Sequence, residues 1–310
     1  MLEFLTQPSY PRSAIGIESN AISALQLRRE GRGRFGVERA ATVELPKGLV
    51  TPSFTEKNIS SVPEFRAFLE EAVVSSGLLN QKSWSISLPS SMARSAILTL
   101  DNAGKSQADE VLDWKAEQSF GAPASVLRIT RYPISNDRDG KQRYFATAVK
   151  LSVVDQYESI FEQFGWKAGL ILPRAVAETN WLTNEPTAMD SLLISSQGDG
   201  FTAVILRGSE PTVVRSVTCS PNEIDDEIYR LLMFYNDRFG DAQGGGNLLS
   251  RLLLVGRDLV PEKIRAISTE AFGRTLAIVR SDDVGLNVPV GQLSFDDLAA
   301  PAGLAAFAWR

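Results

Sequence analysis

Apolar and polar positions along the chain follow two different periods. Ala14-Ile15-Gly16-Ile17 is a short, continuously apolar run, followed by Glu18-Ser19-Asn20 and a second apolar-rich stretch over 21–28. An arginine- and glycine-rich turn then leads into a third stretch over 35–45. Short runs punctuated by turn residues predict a strand, turn, strand, turn, strand unit. The same succession returns downstream: Leu192-Leu193-Ile194, turn residues over 195–200, an almost wholly apolar run over 201–206, the turn Gly208-Ser209-Glu210-Pro211, and a third run over 212–217. A strand that is apolar on both sides is covered on both faces, so helices must flank these sheets. Two such units predict a distant internal duplication.

Between and after the units the period is helical. Ser61, Pro63, the apolar stripe Phe65, Phe68, Leu69, Ala72 and Val73, and Gly77 supply a cap, a first-turn proline, a buried face and a stop. Ser106-Gln107-Ala108-Asp109 opens a helix ending near Gly121 and Pro123, and Ser152-Val153-Val154-Asp155 opens another with Tyr157, Ile160, Phe161 and Phe164 on one face. Runs over 126–134 and 143–150 read as strands around a turn at 136–140, so 92–164 is expected to be a compact unit of helices and antiparallel strands. Ser220-Pro221-Asn222-Glu223 reads as a capping box with proline at the first helical position, followed by the stripe Ile224, Ile228, Leu231, Leu232 and Tyr235 as far as Gly240. The glycine run 244–246 predicts a flexible loop. A strand over 248–256, a helix over 261–272, a strand over 275–280 and an alanine-rich C-terminal helix follow.

Composition removes whole classes of chemistry. The 310 residues are 44% apolar and include no histidine, so histidine bases, Ser-His-Asp or Cys-His nucleophiles and histidine zinc sites are impossible here. The single cysteine, Cys219, excludes an intrachain disulfide and a thiolate cluster, and reads as a small buried hydrophobe. A formal net charge of −5 provides no footprint for nucleic acid. No run reaches the ~20 apolar residues of a membrane span, and the first residues lack a basic start before an apolar stretch, so a cytosolic protein is expected.

Two three-strand units, each followed by helices, with a unit inserted in the first half, are the arrangement of the actin-like ATPase superfamily. The chain resembles the PilM family of type IV pilus assembly proteins, related to the cytoplasmic part of GspL and to FtsA. The resemblance rests on Ile15-Gly16-Ile17-Glu18 with Ala24-Leu25-Gln26-Leu27, Ser87-Leu88-Pro89-Ser90-Ser91, Asp113-Trp114-Lys115-Ala116-Glu117-Gln118, and Gly165-Trp166 leading into 173–181. It also rests on Leu192-Leu193-Ile194 with Arg207-Gly208-Ser209-Glu210-Pro211, and on the ending Pro301-Ala302-Gly303-Leu304-Ala305. It implies a bilobal α/β fold of duplicated ribonuclease H-like units with an inserted α+β subdomain. The expected division is a first lobe over 13–91 completed by 165–187, the insert over 92–164, a second lobe over 188–296, and a C-terminal helix over 297–310 packing back on the first lobe.

The resemblance also implies a nucleotide cleft in which two turns offer backbone N–H groups to phosphates, an aspartate helps organise Mg²⁺, and paired glycines admit adenine. This sequence departs from that pattern at three places. Glu18 stands where the family has Asp, Ser19 and Asn20 follow at once, and the missing glycine shortens the turn by about two residues. Ser195 occupies the second strand-end aspartate position, although Gln197-Gly198-Asp199-Gly200 can form an ordinary hairpin turn. The third element reads Val255-Gly256-Arg257-Asp258, where Arg257 fills an open slot or pairs with Asp258 or another acid. The expected positions of a degenerate cleft are therefore Glu18, Ser19, Asn20, Gly198, Asp199, Gly200, Gly256 and Arg257, with no catalytic residue, metal or cofactor.

The resemblance implies a cytosolic platform, peripheral to the inner membrane, that holds the N-terminal cytoplasmic peptide of a PilN-like single-span protein beside the insert, with a cytosolic motor ATPase as a further partner. The alternative is an active ATP- and Mg-binding member in which Glu18 and Asp199 replace the usual acids. A sugar or acetate kinase of the same superfamily is a weaker third reading. Arg28, Arg29, Arg32, Arg34 and Arg39 are either solvated hairpin residues or contacts to anionic headgroups. Asp225, Asp226 and Glu227 suit the start of a helix and need no further role.

Overall fold

In the computed structural model the described residues are 9–100, 108–137, 139–183, 189–239, 249–289, 291 and 293–310. The chain opens with β1 (Ser13–Ile17), β2 (Ala21–Gly31) and β3 (Arg34–Glu44), continues through helix α1 (Val62–Ser75) and reaches β4 (Ser83–Leu88). It then leaves for β5 (Arg94–Leu100), α2 (Ala108–Phe120), β6 (Leu127–Ile134), β7 (Gln142–Lys150) and α3 (Leu151–Gln163), returning as β8 (Lys167–Pro173) and α4 (Arg174–Thr183). The second half comprises β9 (Asp190–Gln197), β10 (Gly200–Arg207), β11 (Glu210–Thr218), α5 (Ile224–Phe239), β12 (Leu249–Val255), α6 (Pro261–Phe272), β13 (Ala277–Val279), β14 (Leu286–Asn287) and α7 (Phe295–Ala305).

The duplication is visible in the strand order. The first sheet runs β14-β3-β2-β1-β4-β8 and the second β11-β10-β9-β12-β13. In each, an antiparallel three-strand meander continues into parallel strands, so without β14 the two sheets have the same order. All five residues of β1 are buried and β9 and β10 are buried almost throughout, as strands between two helical layers require.

On one face of the first sheet, α1 and α3 contribute Phe65, Leu69, Tyr157 and Phe161 to a core with Ile15, Ile17, Trp84 and Ile86. The other face meets a core shared with the second sheet, in which Ala14 and Leu25 join Trp181 of α4, Leu193, Leu253 and the buried residues of α7. The C-terminal helix therefore lies between the sheets, touching β1, β2, β4 and β12. Its tie to α4 is polar as well: Trp181 Nε1 donates to the Ala299 carbonyl at 2.7 Å and Asn180 Nδ2 to the Gly303 carbonyl at 2.7 Å. Gly16 leaves room for this helix, because a Cβ there would lie 3.0 Å from Pro301 Cγ and Cδ.

A three-stranded sheet of order β5-β7-β6 stands apart, covered by α2 through Leu112, Ala116 and Phe120. The expected unit 92–164 divides in its packing, since the buried face of α3 belongs to the first sheet's core.

Local signals differ from the sequence reading at several helix starts. Ser61 sits at the α1 N-cap without a side-chain bond, and α3 starts at Leu151, so Ser152 lies inside its first turn. Ser220 and Glu223 do bond, through the Ser220 amide at 2.9 Å and its hydroxyl at 2.7 Å to Glu223 Oε2, but Pro221 lies in the turn before α5. Strand β13 is shorter than the run 275–280. Cys219 is half-buried against the second lobe's core, and burial pushes its thiol pKa up. Ser106, Gln107, Gly240 and the glycine run 244–246 lie outside the described residues.

Candidate interlobe site

The ends of three turns meet at a cavity of about 830 Å³ between the lobes. The β1–β2 turn contributes Glu18, Ser19 and Asn20, the β9–β10 turn contributes Gly198, and the β12–α6 turn contributes Gly256 and Arg257. Six of the eight expected positions therefore line one cleft, although they come from both halves of the chain. The two hairpin turns face one another, and a Cβ on Gly198 would lie 3.9 Å from Ser19 Oγ. Asp199 and Gly200 do not line the cleft. The Asp199 carbonyl accepts the Cys219 amide at 3.0 Å. Gly200, at φ 139°, is required by β-pairing, because a Cβ there would lie 1.9 Å from the Val217 carbonyl oxygen.

A phosphate cradle needs free amide donors. The Glu18 amide closes its own turn by donating to the Ala21 carbonyl at 2.9 Å, and the Gly256 amide donates to Asp296 Oδ1 at 2.8 Å. Gly256 itself, at φ 139°, lies against Ser196, where an added Cβ would meet the Ser196 Cβ at 2.4 Å. The Ser196 hydroxyl in turn donates to Asp258 at 2.5 and 2.6 Å. Arg257 pairs with Asp297 of α7 at 2.6 Å rather than with Asp258. The lining thus holds Glu18, Glu44, Asp258, Asp296 and Asp297 against two guanidiniums, Arg174 and Arg257. At full ionisation such a surface repels a polyanion.

The least exposed charge in the cleft is Arg174, at the start of α4. Its Nε donates to Glu178 Oε1 at 2.7 Å, Nη1 lies 3.3 Å from Glu18 Oε2, and Nη2 donates to the Asp296 carbonyl at 3.4 Å. One guanidinium therefore joins the β1–β2 turn, α4 and α7. Burial opposes the Arg174 charge, but Glu18 and then Glu178 outweigh it and raise its pKa. Burial also raises both carboxylates, with Arg174 pulling them back: Glu18 moves upward and Glu178, wholly buried, is pushed up to about 7. The Ser195 hydroxyl is close enough to draw Glu178 down slightly, yet neither it nor Glu178 Oε2 makes a hydrogen bond of good geometry.

Sequence reasoning did not find Arg174, Glu178, Asp296 or Asp297. Arg174, Asp296 and Asp297 stand at the starts of α4 and α7, and Glu178 lies one turn further along α4. Elsewhere, three arginines of the first hairpin have partners within the chain: Arg28 with Glu30 and Arg29 with the Gly31 carbonyl nearby, and Arg39 with the Gly77 carbonyl beyond α1. Asp225, Asp226 and Glu227 occupy the first turn of α5.

Two sheets of repeated order, an inserted unit after β4 and a cleft where the strand turns meet define an actin-like fold. Among solved structures, the chain is similar to the PilM–PilN type IV pilus biogenesis complex, with a TM-score of 0.76 and 14% identity over 98% of this chain and 100% of that one. It is more distantly similar to the cytoplasmic domain of EpsL, an inner-membrane component of the type II secretion system of Vibrio cholerae, with a TM-score of 0.47 and 10% identity over 96% of this chain and 93% of that one. No protein-family model matches the chain, and no curated protein matches it. At these identities the likeness is one of fold.

Proposed function

We propose that this protein is a non-catalytic actin-like platform of a type IV pilus or type II secretion-like machine, and that it holds the cytoplasmic tail of a PilN-type inner-membrane protein. The observation that carries the non-catalytic part is the engagement of two cleft amides and both cleft arginines within the chain. The Glu18 and Gly256 amides are bonded within the chain, and both cleft arginines face carboxylates. Neither ATP nor Mg²⁺ is needed for a cleft that serves as a strut between lobes.

Tail binding draws support from the likeness to a PilM–PilN complex and from the surface of the inserted unit. Trp114 of α2 is 59% exposed and Tyr132 of β6 is 66% exposed, making them the large exposed aromatics among the described residues. Aromatics of this kind anchor interfaces. No described helix is long and apolar enough to cross a membrane, which fits recruitment through a partner to the cytoplasmic side of the inner membrane. The test is calorimetric titration with a peptide copying the cytoplasmic tail of a single-span protein encoded next to this one. Binding on the order of micromolar is expected, because ordering a free tail consumes part of the interaction energy. Trp114→Ala with Tyr132→Ala should abolish it. Unchanged binding by that variant would place the tail elsewhere, and absence of binding by the unaltered protein would refute the platform reading.

A further inference from the structure

A second cavity, of about 880 Å³, opens between the inserted sheet and the second lobe, away from the interlobe cleft. Its walls come from β5, the β6–β7 turn, the start of β7, the β10–β11 hairpin and the end of α5. Ser135, after β6, donates its amide to Glu210 Oε2 at 2.8 Å and so ties the insert to the second lobe at this cavity.

The charges here are unevenly satisfied. Both acids are committed to backbone donors: Glu210 to Ser135, and Asp137 Oδ1 to the amides of Asp139 at 3.0 Å and Lys141 at 2.8 Å. Arg207 forms a two-pronged pair with Asp190 at 3.2 and 3.1 Å. Arg143 and Arg238 have no carboxylate partner among the described residues, although Arg143 is half-buried. Arg238 rests on aromatic rings, 5.8 Å from the centres of both Phe234 and Phe239, and Arg207 lies 5.4 Å from Phe239. A guanidinium on a cavity wall with no carboxylate partner among the described residues can take an anion through charge-assisted hydrogen bonds.

We infer that this cavity is a docking site for an acidic, extended segment of a partner protein, whose carboxylates pair with Arg143 and Arg238 while its apolar side chains lie on Ile97 and Val213. These two cations, without a carboxylate partner among the described residues, come from different units of the fold. The volume lies in the upper part of the ~300–1,000 Å³ range of ligand pockets, so a single small anion would leave most of it empty. The inference uses residues other than those of the proposed tail binding, although Tyr132, paired with Phe145 as Ile97 is, shares this face of the inserted sheet.

The test is fluorescence anisotropy with a labelled peptide of glutamates interspersed with phenylalanines, against the same peptide with lysine for glutamate, at low and high salt. The acidic peptide should bind and the lysine peptide should not, with binding weakened by salt. Arg143→Glu with Arg238→Glu should weaken it by roughly tenfold or more, as expected for the loss of two charge pairs worth ~1 kcal/mol each. Arg32→Glu with Arg34→Glu, which makes the same change in net charge at the first hairpin, should shift it less than about threefold. Arg238 is exposed, so Arg238→Glu alone retains the fold and should show a smaller loss in the same direction. Failure of the acidic peptide to bind, or equal losses in the two double variants, would overturn the inference. So would complete displacement by millimolar inorganic phosphate, which would mark a small-anion site.

Discussion

The Gly256 amide of the second lobe donates to Asp296 Oδ1 at 2.8 Å, while the Asp296 carbonyl accepts from Arg174. One residue at the start of α7 thus bonds a turn of the second lobe through its side chain and the buried arginine of α4 through its backbone. The Gly256 amide is thereby engaged within the chain, and the proposal of a cleft without nucleotide draws on that bond.

Asp296→Ala removes that acceptor and leaves the Gly256 amide unpaired. It should destabilise the protein by about 1–3 kcal/mol, the usual cost of stranding a part-buried donor, read as a lower denaturant midpoint at unchanged slope. Asp296→Asn keeps an acceptor and should lose less.

Arg174→Met strands Glu18 and Glu178 without their cation. Breaking a buried ionic cluster from one side costs about 3–5 kcal/mol, so this variant should be among the least stable at neutral pH. Adding Glu178→Leu removes one stranded carboxylate and should restore part of the loss. Equal midpoints for the single and double variants would show that the cluster carries no such coupling.

Glu178 sets a pH dependence of definite sign. Burial raises its pKa from 4.5 to about 7 in the folded chain, so the folded state holds more protons than the unfolded state between these values. Its contribution to stability is full below about pH 4.5 and is lost as pH rises through about 7, with an upper bound on the order of 3 kcal/mol. Glu18 shifts in the same direction. Glu178→Gln cannot titrate, so its stability relative to the unaltered protein should rise between pH 5 and pH 7.5. A constant difference between the two across that window would contradict the assignment.

Much of the fold is legible because its signals are local. The apolar runs of β1, β9 and β10, the proline at the start of α6 and the stripe of α5 each announce their element within a few residues. The three turns of the cleft are legible for the same reason, and of the two readings open for Arg257, filling a slot or pairing with an acid, the structure has it paired with an acid. Which acid is not legible: Asp297 lies 40 positions away on α7, whereas Asp258 is adjacent. Arg174 escapes for a related reason, since its partners Glu18 and Asp296 are brought to it only when β1, α4 and α7 pack together. The packing of α3 with the first sheet is equally nonlocal, because its apolar face would serve either neighbour.

Calorimetric titration of the unaltered protein with Mg-ATP, accompanied by its melting temperature at saturating nucleotide, asks whether the acids and bonded amides of the cleft exclude a nucleotide. A ligand that binds the folded form must raise that temperature by mass action. No saturable heat and no shift are expected at millimolar Mg-ATP. Saturable binding at micromolar concentration, with a matching rise in melting temperature, would contradict that exclusion.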